Sequence, residues 1–141
     1  MKYSEGYEYI TRERGSHRCK YAIPEHRVEL RTVFGRLLAT LDETGLLTWE
    51  EYYAWDGASC SPDLKSVKRG SLVHDILFQM IRLGLLPREK FFHLANLEIR
   101  YCIIQDKGFA LTAWAYYRGV ETKIAYRATL PESEPKIFTA P

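Results

Sequence analysis

The sequence predicts an α+β fold in which N-terminal antiparallel β-strands and a hairpin are followed by three helices, the first two forming an antiparallel helical hairpin. Two observations lead to this prediction. Apolar and polar residues alternate with a period of two in the first half of the chain, and a helical spacing of apolar residues follows residue 61. The 141 residues suffice for one hydrophobic core. We therefore expect a single domain over residues 1–130 and an extended, proline-rich tail over residues 131–141.

The strands are predicted from alternation and from turn chemistry. Residues 27–34 alternate between charged side chains and the series Val, Leu, Thr and Phe, which predicts a half-buried strand that extends to Phe34. Residues 37–41 are predicted to form another strand. Residues 42–45, Asp-Glu-Thr-Gly, supply a turn, and residues 46–55 resume with Thr, Trp and Tyr, so these two segments are expected to pair as a hairpin.

The first helix is predicted from its start signals. Ser61 before Pro62 gives an N-cap residue followed by the proline that is favoured at the first helical position. A first helical turn is expected to run to about Arg69, and Gly70 is expected to interrupt it. Ser71 would then cap a longer, largely buried helix.

The remaining helices are predicted from their ends. Gly84 is expected to terminate the first helix, and Pro87 to open a second that continues to about Gln105. A third helix is expected from about residue 109 to residue 118, where Gly119 would stop it.

Composition and charge restrict the class of function. The formal net charge is +2, and the basic residues are scattered, which does not favour nucleic acid as a partner. The N-terminus lacks the apolar core of a signal peptide, and no apolar run approaches the ~18 residues of a transmembrane segment, so we expect a cytoplasmic protein. The three cysteines show no CxxC spacing and are expected to be free thiols, and His17, Cys19 and His93 show no zinc-ligand spacing.

The candidate site lies between Asp56 and Asn96. If the first two helices turn near Leu85, His74 and Asn96 are equally distant from the turn, and their side chains can meet. Asp75 points ~100° away from His74 around the helix, toward the loop that contains Asp56. Carboxylates beside such a loop suit a hard divalent cation such as Ca²⁺, and an imidazole can act as general base on water. Asp56 and Asp75 are therefore the candidate metal ligands, and His74 and Asn96 the candidate catalytic residues.

A structural interpretation of the same residues stays open. A histidine in an apolar helix is usually held by a hydrogen bond that closes the core, and an Asp in a Trp-Asp-Gly segment is often an Asx-turn residue. From the residue types alone, this interpretation is favoured over the catalytic one.

Three spaced elements resemble a family of small uncharacterised proteins that are common in phages and prophages. They are the Trp-Asp-Gly-Ala-Ser segment at 55–59, the Ser-Leu-Val-His-Asp-Ile-Leu-Phe segment at 71–78 and the Ala-Asn pair at 95–96. The resemblance implies a phage protein, located in the host cytoplasm or in the virion, in which His74 and Asp75 are important.

The His-Asp helix with a later partner helix is also similar, more distantly, to phospholipases A2. In those enzymes the His is the general base, the adjoining Asp binds calcium and a later Asp orients the His. The resemblance implies these roles for His74, Asp75 and Asn96. Here, however, Asn96 replaces the orienting Asp, Phe78 stands where a Tyr is usual, and the glycine-rich calcium loop is absent.

Two functions are therefore expected. The favoured one is a non-catalytic virion component or host-directed binding module, with a protein partner or a homo-oligomeric assembly. The alternative is a metal-assisted, calcium-type hydrolase, active or inactive, because an amide at residue 96 cannot stabilise an imidazolium by charge.

Overall fold

The computed structural model describes residues 2–3, 9–55 and 65–121, and within them two antiparallel sheets precede three helices. The predicted α+β class is thereby confirmed. The predicted tail at residues 131–141 and the Ser61-Pro62 helix start lie outside the described residues.

The strands are β1 (Lys2–Tyr3), β2 (Tyr9–Ile10), β3 (Gly15–Arg18), β4 (Val28–Arg31), β5 (Leu37–Leu41), β6 (Leu46–Trp49) and β7 (Ala54–Trp55), and the helices are α1 (Lys65–Arg82), α2 (Arg88–Gln105) and α3 (Ala110–Val120).

The larger sheet has the strand order β3-β6-β5-β4, and its neighbouring strands are antiparallel. Strands β5 and β6 form the predicted hairpin. Its turn closes where the Gly45 N–H donates to the Asp42 carbonyl at 3.0 Å, with Gly45 at a φ of 85° that favours glycine. The Asp42 carboxylate accepts a hydrogen bond from the Thr44 N–H at 2.8 Å, as in an Asx turn, and another from the Leu46 N–H at 3.0 Å.

The smaller sheet has the order β1-β2-β7. Its last strand follows β6 after a turn in which Tyr52 has a φ of 65°. Thr11 fixes this turn, because its N–H donates to the Tyr53 carbonyl at 2.9 Å and its hydroxyl donates to the Glu50 carbonyl at 2.9 Å. The predicted continuous segment 46–55 is thus divided between two sheets.

The predicted strand over residues 27–34 is shorter than expected. β4 ends at Arg31, and the chain turns where the Gly35 N–H donates to the Thr32 carbonyl at 2.9 Å. The prediction that the strand reaches Phe34 was wrong, since this side chain is 87% exposed at the turn. The turn depends on Gly35 at a φ of 87°, which an alternation pattern does not register.

Helix α1 passes through Gly70 without interruption, so the predicted break and the predicted cap at Ser71 were wrong. Gly70 serves helix packing instead. A Cβ atom there would lie 3.2 Å from the Cβ of Cys102 and 3.3 Å from the carbonyl oxygen of Ile99. Ser71 is buried within the helix and accepts a hydrogen bond from the Trp55 indole N–H at 3.1 Å. Tertiary packing has overridden the local glycine signal.

The helical hairpin forms as predicted. Gly84, at a φ of 74°, follows the end of α1. The Leu85 N–H donates a hydrogen bond to the Met80 carbonyl at 2.9 Å, which forms a C-terminal capping turn. Pro87 occupies the N-cap position of α2, which ends at Gln105. α3 was predicted to stop at Gly119, but it continues to Val120.

The main hydrophobic core joins the larger sheet to one face of α1 and to α2. Its fully buried side chains come from both layers, which fixes α1 and α2 relative to the strands. A second cluster, formed by Val67, Ile99, Ile103 and Ala113, lies where the three helices meet. The most deeply buried members of the main core are Leu30, Leu38, Leu41, Leu47, Val73, Ile76, Leu77, Met80 and Ile81.

Candidate functional site

His74 and Asn96 meet across the helical hairpin, as the equal distances from the turn predicted. The His74 Nε2 lies 2.8 Å from the Asn96 Oδ1. Asn96 is fully buried and His74 is half-buried, with its ring against Phe78 at 3.9 Å between ring centroids. The hairpin therefore places these two polar groups at the same distance from the turn along the helix axes, as expected for two antiparallel helices joined by a short turn.

The amide nitrogen of Asn96 is committed to the end of α3. It donates to the Val120 carbonyl at 3.1 Å and to a carboxylate oxygen of Glu121. Because the nitrogen donates there, the amide oxygen faces His74 and must accept a hydrogen bond from the imidazole Nε2–H. His74 is thus a neutral hydrogen-bond donor in this contact, and Asn96 links α1, α2 and the end of α3.

Glu121 gathers further donors on the outer side of Asn96. Its other carboxylate oxygen lies 2.7 Å from the His93 Nδ1 and accepts from the Tyr117 hydroxyl at 3.0 Å. Burial acts to raise the pKa of Glu121, but the hydrogen bonds from Asn96, His93 and Tyr117 together hold that pKa below its usual value. Glu121 is therefore the anionic anchor of the Asn96 network.

The pKa of His74 is lowered from 6.5 to about 4. Burial is the largest cause, since it disfavours the charged ring, and the nearby positive charge of Arg82 acts in the same direction. The Asn96 hydrogen bond acts in the opposite direction but does not compensate. The imidazole is consequently uncharged at neutral pH.

The predicted metal ligands are only partly placed. Asp75 is half-buried, and the Tyr53 hydroxyl donates to its Oδ2 at a long distance of 3.5 Å. Asp56 lies outside the described residues, so its position relative to Asp75 is not described. A calcium site at Asp56 and Asp75 stays a prediction.

A second polar cluster, which the sequence analysis missed, lies between β3 and α2. His17, Glu98 and Cys102 are buried, and one potential ligand atom from each lies within 4.8 Å of the other two. The His17 Nε2 is 3.1 Å from the Glu98 Oε2 and 3.5 Å from the Cys102 Sγ. The sequence shows no zinc-ligand spacing at His17 because spacing considers only nearby residues, whereas Glu98 and Cys102 are 81 and 85 residues away.

The buried Glu98 carboxylate has donors on both oxygens. Its Oε1 accepts the Ala22 N–H at 3.1 Å and the Tyr21 N–H, while its Oε2 faces the His17 Nε2. On the other side of the ring, the His17 Nδ1 contacts the Arg69 guanidinium. Since Arg69 can only donate, Nδ1 is the acceptor and His17 carries its proton on Nε2.

Arg69 connects this cluster to the protein surface. Its guanidinium pairs with Asp106, with an Nη2 to Oδ1 distance of 2.9 Å, and donates to the Gln105 side chain at 2.9 Å. Burial raises the pKa of the Cys102 thiol to about 12, and the nearby Arg69 charge lowers it only in part. The cluster thus contains a thiol, a neutral imidazole and a buried carboxylate.

A sequence signal for this cluster does exist. Glu98 and Cys102 are four residues apart on α2, and both lie among apolar residues in the Leu-Glu-Ile-Arg-Tyr-Cys-Ile-Ile segment. This spacing places them on one helix face that the apolar pattern marks as buried. A charged residue at such a position requires a partner, although the sequence does not identify His17 as that partner.

The helical layer also carries an exposed apolar surface at the start of α3. We call Ile104, Phe109, Leu111 and Trp114 the α3 patch; their exposed fractions are 52%, 82%, 75% and 55%. Only Ala113 of α3 is buried in the structure as described. The helix therefore presents Leu111 and Trp114 to solvent, while Tyr116 and Val120 pack partly against the second cluster.

The chain matches no known protein family, no curated protein and no solved structure in the comparisons. None of the helices within the described ranges is long and apolar enough to cross a membrane. The function must therefore be argued from the site and surface geometry.

Proposed function

We propose that this chain is a non-catalytic binding module that assembles with a second copy of itself through the α3 patch. The single observation that carries the proposal is the exposure of Phe109, Leu111 and Trp114 at the start of one helix. Single exposed apolar residues are ordinary, but several large ones close together in the chain, two of them aromatic, are typical of an interaction surface.

The exposed positions of α3 are compatible with a self-complementary pairing. Leu111, Trp114 and Ala115 are exposed at helical spacing, and Gly119 continues the same face. In an antiparallel pair of α3 helices centred on Ala115, the Leu111 side chain of each copy falls opposite Gly119 of the other. Small residues allow helix backbones to approach closely, so one helix supplies both the projections and the recesses that a two-fold interface requires.

The size of the patch suits the centre of such an interface. An aromatic side chain contributes ~150–250 Å², so Phe109 and Trp114 with Leu111 and Ile104 expose an apolar surface on the order of 500 Å². A standard interface buries about 800 Å² on each partner, with an apolar centre and a polar rim. Lys107 and Arg118, both exposed, would belong to that rim.

The His74 and Asn96 contact supports the non-catalytic part of the proposal. Asn96 is held by the end of α3 as well as by His74, so a structural role accounts for both of its polar atoms. A general base works best with a pKa near the operating pH, and the pKa of His74 is about 4. The resemblance to small phage proteins adds the expectation of a virion component, where many copies of a chain assemble.

The test is the oligomeric state of the full chain, measured by analytical ultracentrifugation over a range of concentrations. We expect a dimer for the wild type and a monomer for Leu111→Glu, with an unchanged melting temperature once both are compared as monomers at low concentration. Phe34→Glu is the matched control, because Phe34 is equally exposed but lies at the distant β4–β5 turn. A monomeric wild type at high concentration, or dissociation by Phe34→Glu alone, would contradict the proposal.

A metal-assisted hydrolase is the second candidate, favoured by the 2.8 Å contact between His74 and Asn96. In that function Asp75 and Asp56 would hold Ca²⁺ and His74 would activate water. Calorimetric titration of Ca²⁺ into the wild type and into Asp75→Asn tests it. Binding that Asp75→Asn abolishes would favour this candidate, and the absence of any Ca²⁺-dependent heat would remove it.

A further inference from the structure

We propose that His17, Glu98 and Cys102 form a binding site for zinc that ties β3 to α2. This site is independent of the α3 patch and of the predicted calcium ligands. Its three donor atoms are the His17 Nε2, the Glu98 Oε2 and the Cys102 Sγ.

The distances match the edges of a zinc coordination tetrahedron. Zinc bonds of ~2.0–2.3 Å to nitrogen, oxygen and sulfur place neighbouring ligand atoms roughly 3.3–3.8 Å apart. In the structure the nitrogen to oxygen distance is 3.1 Å and the nitrogen to sulfur distance is 3.5 Å, and all three atoms lie within 4.8 Å of one another. The nitrogen to oxygen and nitrogen to sulfur distances therefore already lie close to the edges of such a tetrahedron.

The chemistry of the donors selects the metal. A thiolate, an imidazole and a carboxylate form the mixed set that zinc and its neighbours in the first transition row prefer. Ca²⁺ and Mg²⁺ require oxygen ligands, and the cluster offers them a single carboxylate. The site is therefore chemically distinct from the calcium site predicted at Asp56 and Asp75.

The charge balance of the cluster also favours a cation. Glu98 is fully buried, and the linked groups comprise two carboxylates, Glu98 and Asp106, but one guanidinium, Arg69. These groups together carry one net negative charge, and the Glu98 carboxylate is stabilised by hydrogen bonds from the Ala22 and Tyr21 N–H groups and from His17. A zinc ion bound with a Cys102 thiolate cancels the net negative charge, because the added thiolate and that charge together equal the charge of the ion.

The fourth zinc ligand would be a water molecule. Cys19 is buried and follows His17 by two residues, but its sulfur does not belong to the group of donor atoms that lie within 4.8 Å of one another. Zinc sites with three protein ligands carry water in the fourth position, so the proposed site needs no further side chain.

Zinc binding requires a defined movement of protons. The Cys102 S–H bond breaks, the sulfur electron pair forms the bond to zinc, and the proton leaves to solvent. The imidazole proton moves from Nε2 to Nδ1, so that Nε2 can donate its lone pair to the ion. The Nδ1–H and the Arg69 guanidinium are then both donors, so Arg69 must move away from the ring while it keeps its bonds to Asp106 and Gln105. Binding therefore strengthens as the pH rises.

The site is tested by refolding the full chain with Zn²⁺ or Co²⁺, removing free metal and measuring bound metal and absorption. We expect equimolar zinc, and for the Co²⁺ form the intense visible bands of a tetrahedral site with a sulfur-to-cobalt charge-transfer band. Because the ligands are buried, chelators should remove the metal slowly and lower the melting temperature.

The variants identify the ligands. Cys102→Ser should lose most of the charge-transfer intensity, and Glu98→Gln should bind zinc at least tenfold more weakly. Cys60→Ser, at a cysteine outside the described residues, is the control and should leave the charge-transfer intensity and the zinc affinity unchanged. If Cys102→Ser does not fold, the wild-type Co²⁺ spectrum still decides. Absence of bound metal and of a Co²⁺ spectrum in the refolded wild type, or loss of the spectrum in Cys60→Ser with Cys102→Ser unaffected, would overturn the proposal.

Discussion

Acidification should destabilise this protein through His74. The pKa of His74 is 6.5 as an ordinary histidine and about 4 in the folded chain. Between these values the unfolded chain binds a proton that the folded chain excludes, so stability is unaffected above pH 6.5 and falls as the pH drops toward 4. Each pKa unit is worth ~1.4 kcal/mol, and since water reaches part of the half-buried ring, we expect a total loss of about 2–3 kcal/mol.

The measurement is urea-induced unfolding at a series of pH values for the wild type and for His74→Gln, which keeps an N–H donor for Asn96 but does not titrate. The difference in unfolding free energy between the two proteins should change by that 2–3 kcal/mol between neutral pH and pH 4. His26→Gln is the control, since His26 is exposed and its loss should leave the pH dependence unchanged. An NMR titration in which the His74 ring protonates near pH 6.5 in the folded protein would refute the reasoning.

Three further substitutions test the interior. Asn96→Asp should lower stability at pH 7 by about 1–3 kcal/mol, because it places a carboxylate beside Glu121 and leaves the Val120 carbonyl without its donor. The new carboxylate should also raise the pKa of His74. An unchanged NMR titration of His74 would contradict this. Gly70→Ala should destabilise by roughly 1 kcal/mol, because overpacking against the Ile99 carbonyl outweighs the gain in helix propensity. Gly119→Ala has no atom within 4 Å in the single chain but lies in the proposed pairing surface, so in the monomeric Leu111→Glu background it should stabilise by ~0.5–1 kcal/mol. Thermal unfolding in that background that ranks the pair the other way would be inconsistent with the helix contact. Ser71→Ala should lower the free energy of unfolding in chemical denaturation by about 1–2 kcal/mol, because the buried Trp55 N–H loses its acceptor. Ser16→Ala is the control at an exposed position and should leave that free energy unchanged. Equal effects of the two substitutions would exclude a specific role for the Trp55–Ser71 hydrogen bond.

The helical hairpin and its central contact could be predicted because their determinants are local. Gly84 and Pro87 define the turn between two helices, and equal distance from that turn brings His74 and Asn96 together. The β5–β6 hairpin was predictable for the same reason, since the Asp-Glu-Thr-Gly turn fixes its register. In both cases a short connection determines which residues face each other.

The parts that were missed depend on contacts that are distant in sequence. β3 reads Gly-Ser-His-Arg, and its buried inward residue is His17, so no apolar alternation marks it as a strand. The helix break predicted at Gly70 failed because the glycine is needed for contact with α2, which lies some thirty residues further along the chain. The turn at Gly35 likewise overrode an alternation that continued past it. Local pattern therefore identified elements better than it identified their ends.

Helix α2 connects both polar clusters, and this explains why its sequence is less amphipathic than that of an ordinary surface helix. Asn96 and Glu98 are both fully buried, yet the first faces His74 on α1 and the end of α3, whereas the second faces His17 on β3. Each buried polar group costs free energy unless its partners are in place. An arrangement that shifted α1, α3 or β3 relative to α2 would leave at least one of these groups unsatisfied. The polar residues of α2 thus select one packing among those that apolar contacts alone would permit. A single, rigid packing is also what the proposed metal site and the proposed α3 pairing require.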